Sequence, residues 1–128
     1  MSTPRMGFQY VVLRCVPRVD REEFVNVGVV LYCQMADFLE ASCHVNEERL
    51  RTLSSDVDVA AVRSALKAIA AVCRGDEAAG EAGQAAPGTR FGFVSAPRST
   101  VVQPGPIHGG STDDPARQLE RLLDRLVS

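Results

Sequence analysis

The chain has 128 residues, 45% hydrophobic and 23% charged, a composition that suits one globular domain over residues 1–128 with a single core of its own. Its 14 basic and 16 acidic residues leave a net charge of -2, without the basic surplus that phosphate neutralisation asks of a nucleic-acid binder. No apolar run approaches the roughly 18 residues of a membrane span, and Met1-Ser2-Thr3-Pro4-Arg5 lacks the pattern of a secretory leader, so the expected compartment is the cytoplasm.

The first predicted strand runs from Phe8 to Val16 and is ended by Pro17, which cannot donate to a sheet ladder. A charged connector leads to Phe24–Cys33, whose Val, Leu and aromatic residues on both alternating faces require a central strand covered on both sides or nearly so. Two residues break that run. Asn26 puts an amide among valines, and Gly28 gives up side-chain packing, which marks a bulge or a close backbone approach. A turn over Gln34–Asp37 returns the chain as a third strand, Phe38–Val45, completing a meander.

Strict alternation places Val11, Leu13, Cys15, Val25, Val27, Val29, Leu31, Leu39, Ala41, Cys43 and Val45 on one apolar face. The other face is mixed, carrying Arg14, Asn26, Gly28, Glu40, Ser42 and His44 among Tyr10, Val12, Val30 and Tyr32. On this reading Asn26 and Gly28 point the same way.

Asn46–Leu53 predicts one or two helical turns, and Ser54-Ser55-Asp56 offers cap oxygens for a longer helix over Val57–Cys73. Val59, Val62, Leu66, Ile69 and Cys73 recur there at three and four, and Gly75 supplies the left-handed stop. Gly75–Thr89 has no periodicity and reads as a mobile surface loop. Arg90–Val94 and Thr100–Gln103 read as a fourth and a short fifth strand, and Pro104–Gly110 as irregular. Thr112-Asp113-Asp114-Pro115 starts a final helix with Leu119, Leu122, Leu123 and Leu126 on one side. The predicted class is α+β: a mainly antiparallel sheet of four to five strands with two helices packed on one face.

None of the motifs that announce an enzyme by their spacing is present, neither a phosphate loop nor a zinc helix nor a nucleophile elbow. Catalytic residues, cofactor and metal are therefore assigned as none. Cys15, Cys33, Cys43 and Cys73 lack paired spacing and read as small buried hydrophobes; a zinc site at Cys43 and His44 is opposed because strand neighbours point to opposite faces. Two constellations carry binding chemistry. One is the mixed face, where Arg14 offers five fixed donors beside Asn26 around the gap left by Gly28, unless Arg14 simply pairs with Glu40 across the strands. The other is Arg98, Ser99, Thr100, Gln103 and His108, a line of donors held by prolines and glycines, in which Arg98 grips an anion or pairs with Asp113 or Asp114.

Tyr10-x-Val12-Leu13-Arg14-x-x-Pro17, Glu23-Phe24-Val25-Asn26-Val27-Gly28-Val29 and Ala96-Pro97-Arg98-Ser99-Thr100-Val101-Val102-Gln103 together resemble a bacterial family catalogued as domain of unknown function 3037. The resemblance implies short cytoplasmic proteins often encoded beside a HipA-like kinase, and supplies no catalytic residues. The expected function is a non-enzymatic accessory or regulatory protein that binds a partner protein, such as a HipA-like kinase, with no membrane or nucleic-acid partner. Its contact or anion pocket comprises Arg14, Asn26, Gly28, Arg98, Ser99, Thr100, Gln103 and His108. The alternative is a small enzyme or sensor for a phosphorylated or nucleotide-like ligand held by Arg14, Arg98 and His108, which requires Arg14, Asn26, Arg98 and His108 to line one pocket.

Overall fold

A computed structural model describes residues 4–128. Strands β1 (Met6–Cys15), β2 (Val25–Cys33) and β3 (Phe38–Cys43) form the expected antiparallel meander. Beyond β1 the sheet is completed by two short strands end to end along its free edge: β4 (Val102–Pro104) pairs with Leu13–Cys15, and β5 (His108–Thr112) pairs with Met6–Tyr10. The class is α+β, with a five-stranded antiparallel sheet.

Gly28 marks a bulge, as its place in the run suggested. Leu13 faces Gly28 and Arg14 faces Asn26, so Val27 is an extra residue in β2 with no partner across the ladder. A one-residue insertion reverses the facing of everything beyond it. Val25, Val27, Val30 and Tyr32 consequently share one core, whereas Val29, Leu31 and Cys33 belong to another. This corrects the strict alternation, which had put Val29 and Leu31 with Val27, and Gly28 with Asn26.

Helices α1 (Glu47–Leu53), α2 (Val59–Arg74) and α4 (Pro87–Ser95) cover the first face, their Leu50, Val62, Leu66, Ile69, Phe91 and Val94 meeting Val11, Leu13, Val30 and Leu39. Asn46 and Asp58 cap the first two by accepting the Arg49 and Ala61 amide hydrogens, and Gly75 at φ 72° stops α2. Helix α5 (Pro115–Leu126) lies on the opposite face, its Leu119 and Leu122 packed with Phe8, Val29, Leu31 and Cys33. Its leucines do pack on the sheet, but on the side away from α2, so the two helices are not on one face. The apolar character of both sides of β2 is satisfied by this sandwich.

Three local predictions are overturned. Gly75–Thr89 folds as a helical turn over Glu77–Ala79, a short α3 (Glu81–Gln84) and the start of α4. Arg90–Val94 is helix rather than strand. Phe91 stacks on Tyr32 at 5.4 Å, and Arg90 donates to the Val72, Cys73 and Ala85 carbonyls, so docking on the end of α2 overrides the β-preference of Phe and Val. Within Pro104–Gly110, read as irregular, β5 begins at His108, and Gly110 fits there because the Phe8 ring occupies the place of its side chain.

A Cβ at Gly28 would lie 3.0 Å from the Cys43 Sγ and 3.1 Å from the Ser42 carbonyl oxygen, and that oxygen belongs to the backbone of β3. Gly28→Ala is expected to lower stability by about 1–3 kcal/mol through overpacking, read as a fall in the urea midpoint at unchanged slope.

A candidate recognition site around Arg14

Arg14 stands opposite Asn26 on β2 and opposite Gln103 on β4, so three polar side chains form a row across three neighbouring strands on the α5 side of the sheet. The bulge creates this row, because without the extra Val27 the residue opposite Arg14 would not be Asn26. The Arg14 Cζ lies 4.2 Å from the centre of the Phe24 ring, a cation–π contact. A Cβ at Gly105 would fall 3.0 Å from Arg14 Cζ and 3.1 Å from both Nε and Nη2. Cζ being the nearest of the three, the glycine lies over the plane of the guanidinium rather than at its edge. The Gly105 amide is itself fixed by donating to the Val12 carbonyl at 2.8 Å.

The guanidinium is thus held flat, and its buried Nε is unused among the described residues. Among the described residues no acceptor reaches the buried Nε, and Glu40, on a strand that does not border β1, is not its partner. Asn26 is half satisfied. Its Nδ2 donates to the Leu126 carbonyl at 2.9 Å, which fixes the amide's orientation and leaves the buried Oδ1 without a donor. Gln103 donates from Nε2 to the Thr100 carbonyl at 3.0 Å. Each unsatisfied buried polar atom costs about 1–3 kcal/mol, so the fold carries this pair at a loss.

The other candidates divide between places. His108 faces Tyr10 on the same side of the sheet, ring centres 5.2 Å apart, and is exposed. Gly28 faces the opposite core. Arg98 lies in the α2 layer, its Nη2 donating to the Phe93 carbonyl at 2.6 Å, and it pairs with neither Asp113 nor Asp114 among the described residues; Asp114 instead caps α5. Thr100 donates to the Val102 carbonyl at 2.7 Å and Ser99 is exposed on the same loop. Arg14, Asn26, Arg98 and His108 therefore do not line one pocket. Clefts of about 330, 540 and 400 Å³ are lined by other residues, with Arg98 in the third. Phe24, Gly105 and the Leu126 carbonyl belong to the Arg14 site and escaped the sequence reading; Gly105, set between two prolines, was the one visible signal.

Burial pushes the Cys73 thiol up to about 12 and the Cys43 thiol to about 11, and raises Cys15 as well. Cys15, Cys33 and Cys73 are buried as expected, but Cys43, on the edge strand β3, is exposed, although its Sγ lies against Gly28. Such thiols are neutral at pH 7, which suits packing better than nucleophilic attack. Among the described residues no three His, Cys, Asp or Glu side chains cluster as a metal site would need.

A family model described as a protein of unknown function (DUF3037) matches residues 10–127, which take in the whole Arg14 row. No curated protein and no solved structure matches the chain.

Two outcomes are expected. Because the folded thiols ionise above the ordinary value of 9.0, the unfolded chain loses these protons first, so stability holds below pH 9 and falls as pH rises towards about 11 and 12. Urea midpoints compared at about pH 7 and about pH 10 read this loss, and Cys43→Ala with Cys73→Ala should flatten it. Arg14→Met keeps the length of the side chain and removes the orphaned Nε; it is expected to leave stability unchanged or raise it by about 1 kcal/mol. A fall in midpoint would make Arg14 a structural residue.

Proposed function

The chain belongs to the DUF3037 family, and from that premise we propose that it is a non-enzymatic accessory or regulatory protein that binds a protein partner through the face carrying Arg14. The observation that supports this reading is a guanidinium held flat by Phe24 and Gly105 with no acceptor for its Nε among the described residues. An arginine ordered in advance loses little entropy on meeting a carboxylate or phosphate, and its planar fork favours a two-point contact. Phe24 against the guanidinium is 45% exposed, and Ile107, two residues beyond Gly105, is 51% exposed, so apolar anchors for a protein contact are at hand. An acidic segment of the partner fits this mixture of one unpaired cation and apolar neighbours.

The enzyme or sensor alternative has lost its geometric requirement, since Arg98 stands in the other layer from Arg14 and His108. The family resemblance makes a HipA-like kinase the first partner to try.

Capture from host extract, followed by titration of the recovered, purified partner, tests the proposal. Wild type and Arg98→Met are expected to bind alike, whereas Arg14→Met loses about tenfold or more in affinity with its circular dichroism unchanged. A phosphorylated small molecule recovered without any protein, or a partner indifferent to Arg14→Met, would overturn it.

A further inference from the structure

Arg98 is not used by the Arg14 face. It stands at a cleft of about 400 Å³ between α2, the helical turn after it, α4 and the loop leading to β4. The cleft exists because its sides are built of small side chains: Ala68 beside Ile69 and Val72 on α2, and Ala79 facing them. Phe93 forms a lip and remains 51% exposed, an apolar surface the fold leaves uncovered. Arg98 is the only ionisable side chain among the lining residues.

This cation is positioned rather than loose. Its Cζ lies 5.3 Å from the centre of the Phe93 ring and its Nη2 donates to the Phe93 carbonyl at 2.6 Å. No carboxylate among the described residues pairs with it, so its remaining donors are unclaimed. The Thr100 hydroxyl is already committed as a donor to the Val102 carbonyl, which leaves Arg98 alone to meet an anion.

We propose that this cleft binds a small aliphatic carboxylate, the acid group on Arg98 and the hydrocarbon tail over the alanines and against Phe93. The chemistry of the lining decides among anions. A phosphate group needs several donors and carries no apolar body, whereas one arginine satisfies one carboxylate in a two-point contact. The cleft volume falls in the range of roughly 300–1,000 Å³ typical of small-molecule sites, and four segments wall it, which favours a free acid over a flat protein surface. A tail of several methylenes suits walls made of methyl groups, since apolar area removed from water is what drives its entry.

The probe is octanoate, titrated into the full chain and followed by amide chemical shifts, with octanol as the uncharged control. Shifts are expected in α2 and residues 96–102, saturating with a Kd on the order of 1 mM or below, with octanol at least about tenfold weaker. Arg98→Gln should weaken octanoate about tenfold or more while leaving octanol unchanged, as loss of a charge-assisted hydrogen bond requires. Ala68 is exposed on the helix surface, so Ala68→Leu keeps the fold and is expected to abolish binding by filling the cleft. The proposal is overturned by octanol binding as well as octanoate, by shifts that map elsewhere, by Arg98→Gln binding octanoate normally, or by no saturable shift at all. Because the Arg14 face is not touched by any of these variants, failure here leaves partner binding standing, and the reverse holds equally.

Discussion

The two-for-one pairing of Val27 and Gly28 against Leu13 is the constraint on which the rest of the structure depends. Gly28 permits it, because any side chain there would press on Cys43, on the Ser42 carbonyl and on Leu13. One extra residue sends Val27 and Val30 to the α2 side and Val29 and Leu31 to the α5 side. A central strand apolar on both faces thereby acquires two separate cores, each closed by its own helices. Had the strand been regular, one face would have gathered the valines and α5 would have had little apolar surface to cover.

The same bulge sets Asn26 beside Arg14, at the edge of the smaller core, where α5 comes to its end and Asn26 holds the Leu126 carbonyl. The row Asn26, Arg14, Gln103 is therefore a by-product of packing geometry as much as of composition. What distinguishes it from an ordinary polar seam is incompleteness. Among the described residues, a buried donor on Arg14 and a buried acceptor on Asn26, side by side on adjacent strands, have no partner, and sheets seldom tolerate that without reason. Phe24 and Gly105 orient the guanidinium without neutralising it, an arrangement that sacrifices stability.

The sheet also separates Arg14 from Arg98. Arg14 opens to the α5 side among aromatic neighbours, and Arg98 opens to the α2 side over a cleft lined by alanines. Their surroundings differ in kind: the Phe24 ring and the Gly105 backbone in the first case, a walled cleft in the second. The two proposed ligands are therefore distinct, and either proposal can fail without the other.

Wherever a physical signal was local, the sequence alone determined the outcome. Val59, Val62, Leu66, Ile69 and Gly75 define α2 and its stop, Asp114 with Pro115 starts α5, and Pro17 ends β1, since periodicity and capping act within a few residues. Gly28 could be read as a bulge or a close approach, and Arg14, Asn26 and Gln103 as candidate donors. Which side of the sheet each residue faces was decided only by tertiary pairing, because inserting Val27 changes the register without changing the composition. Arg90–Val94 became a helix for the same kind of reason: five residues with Phe and Val are ambiguous alone, and the carbonyls at the end of α2, which Arg90 binds, choose between the alternatives. The division of Arg14 from Arg98 is likewise tertiary, since a charge in a sequence has no side until the sheet beneath it is paired.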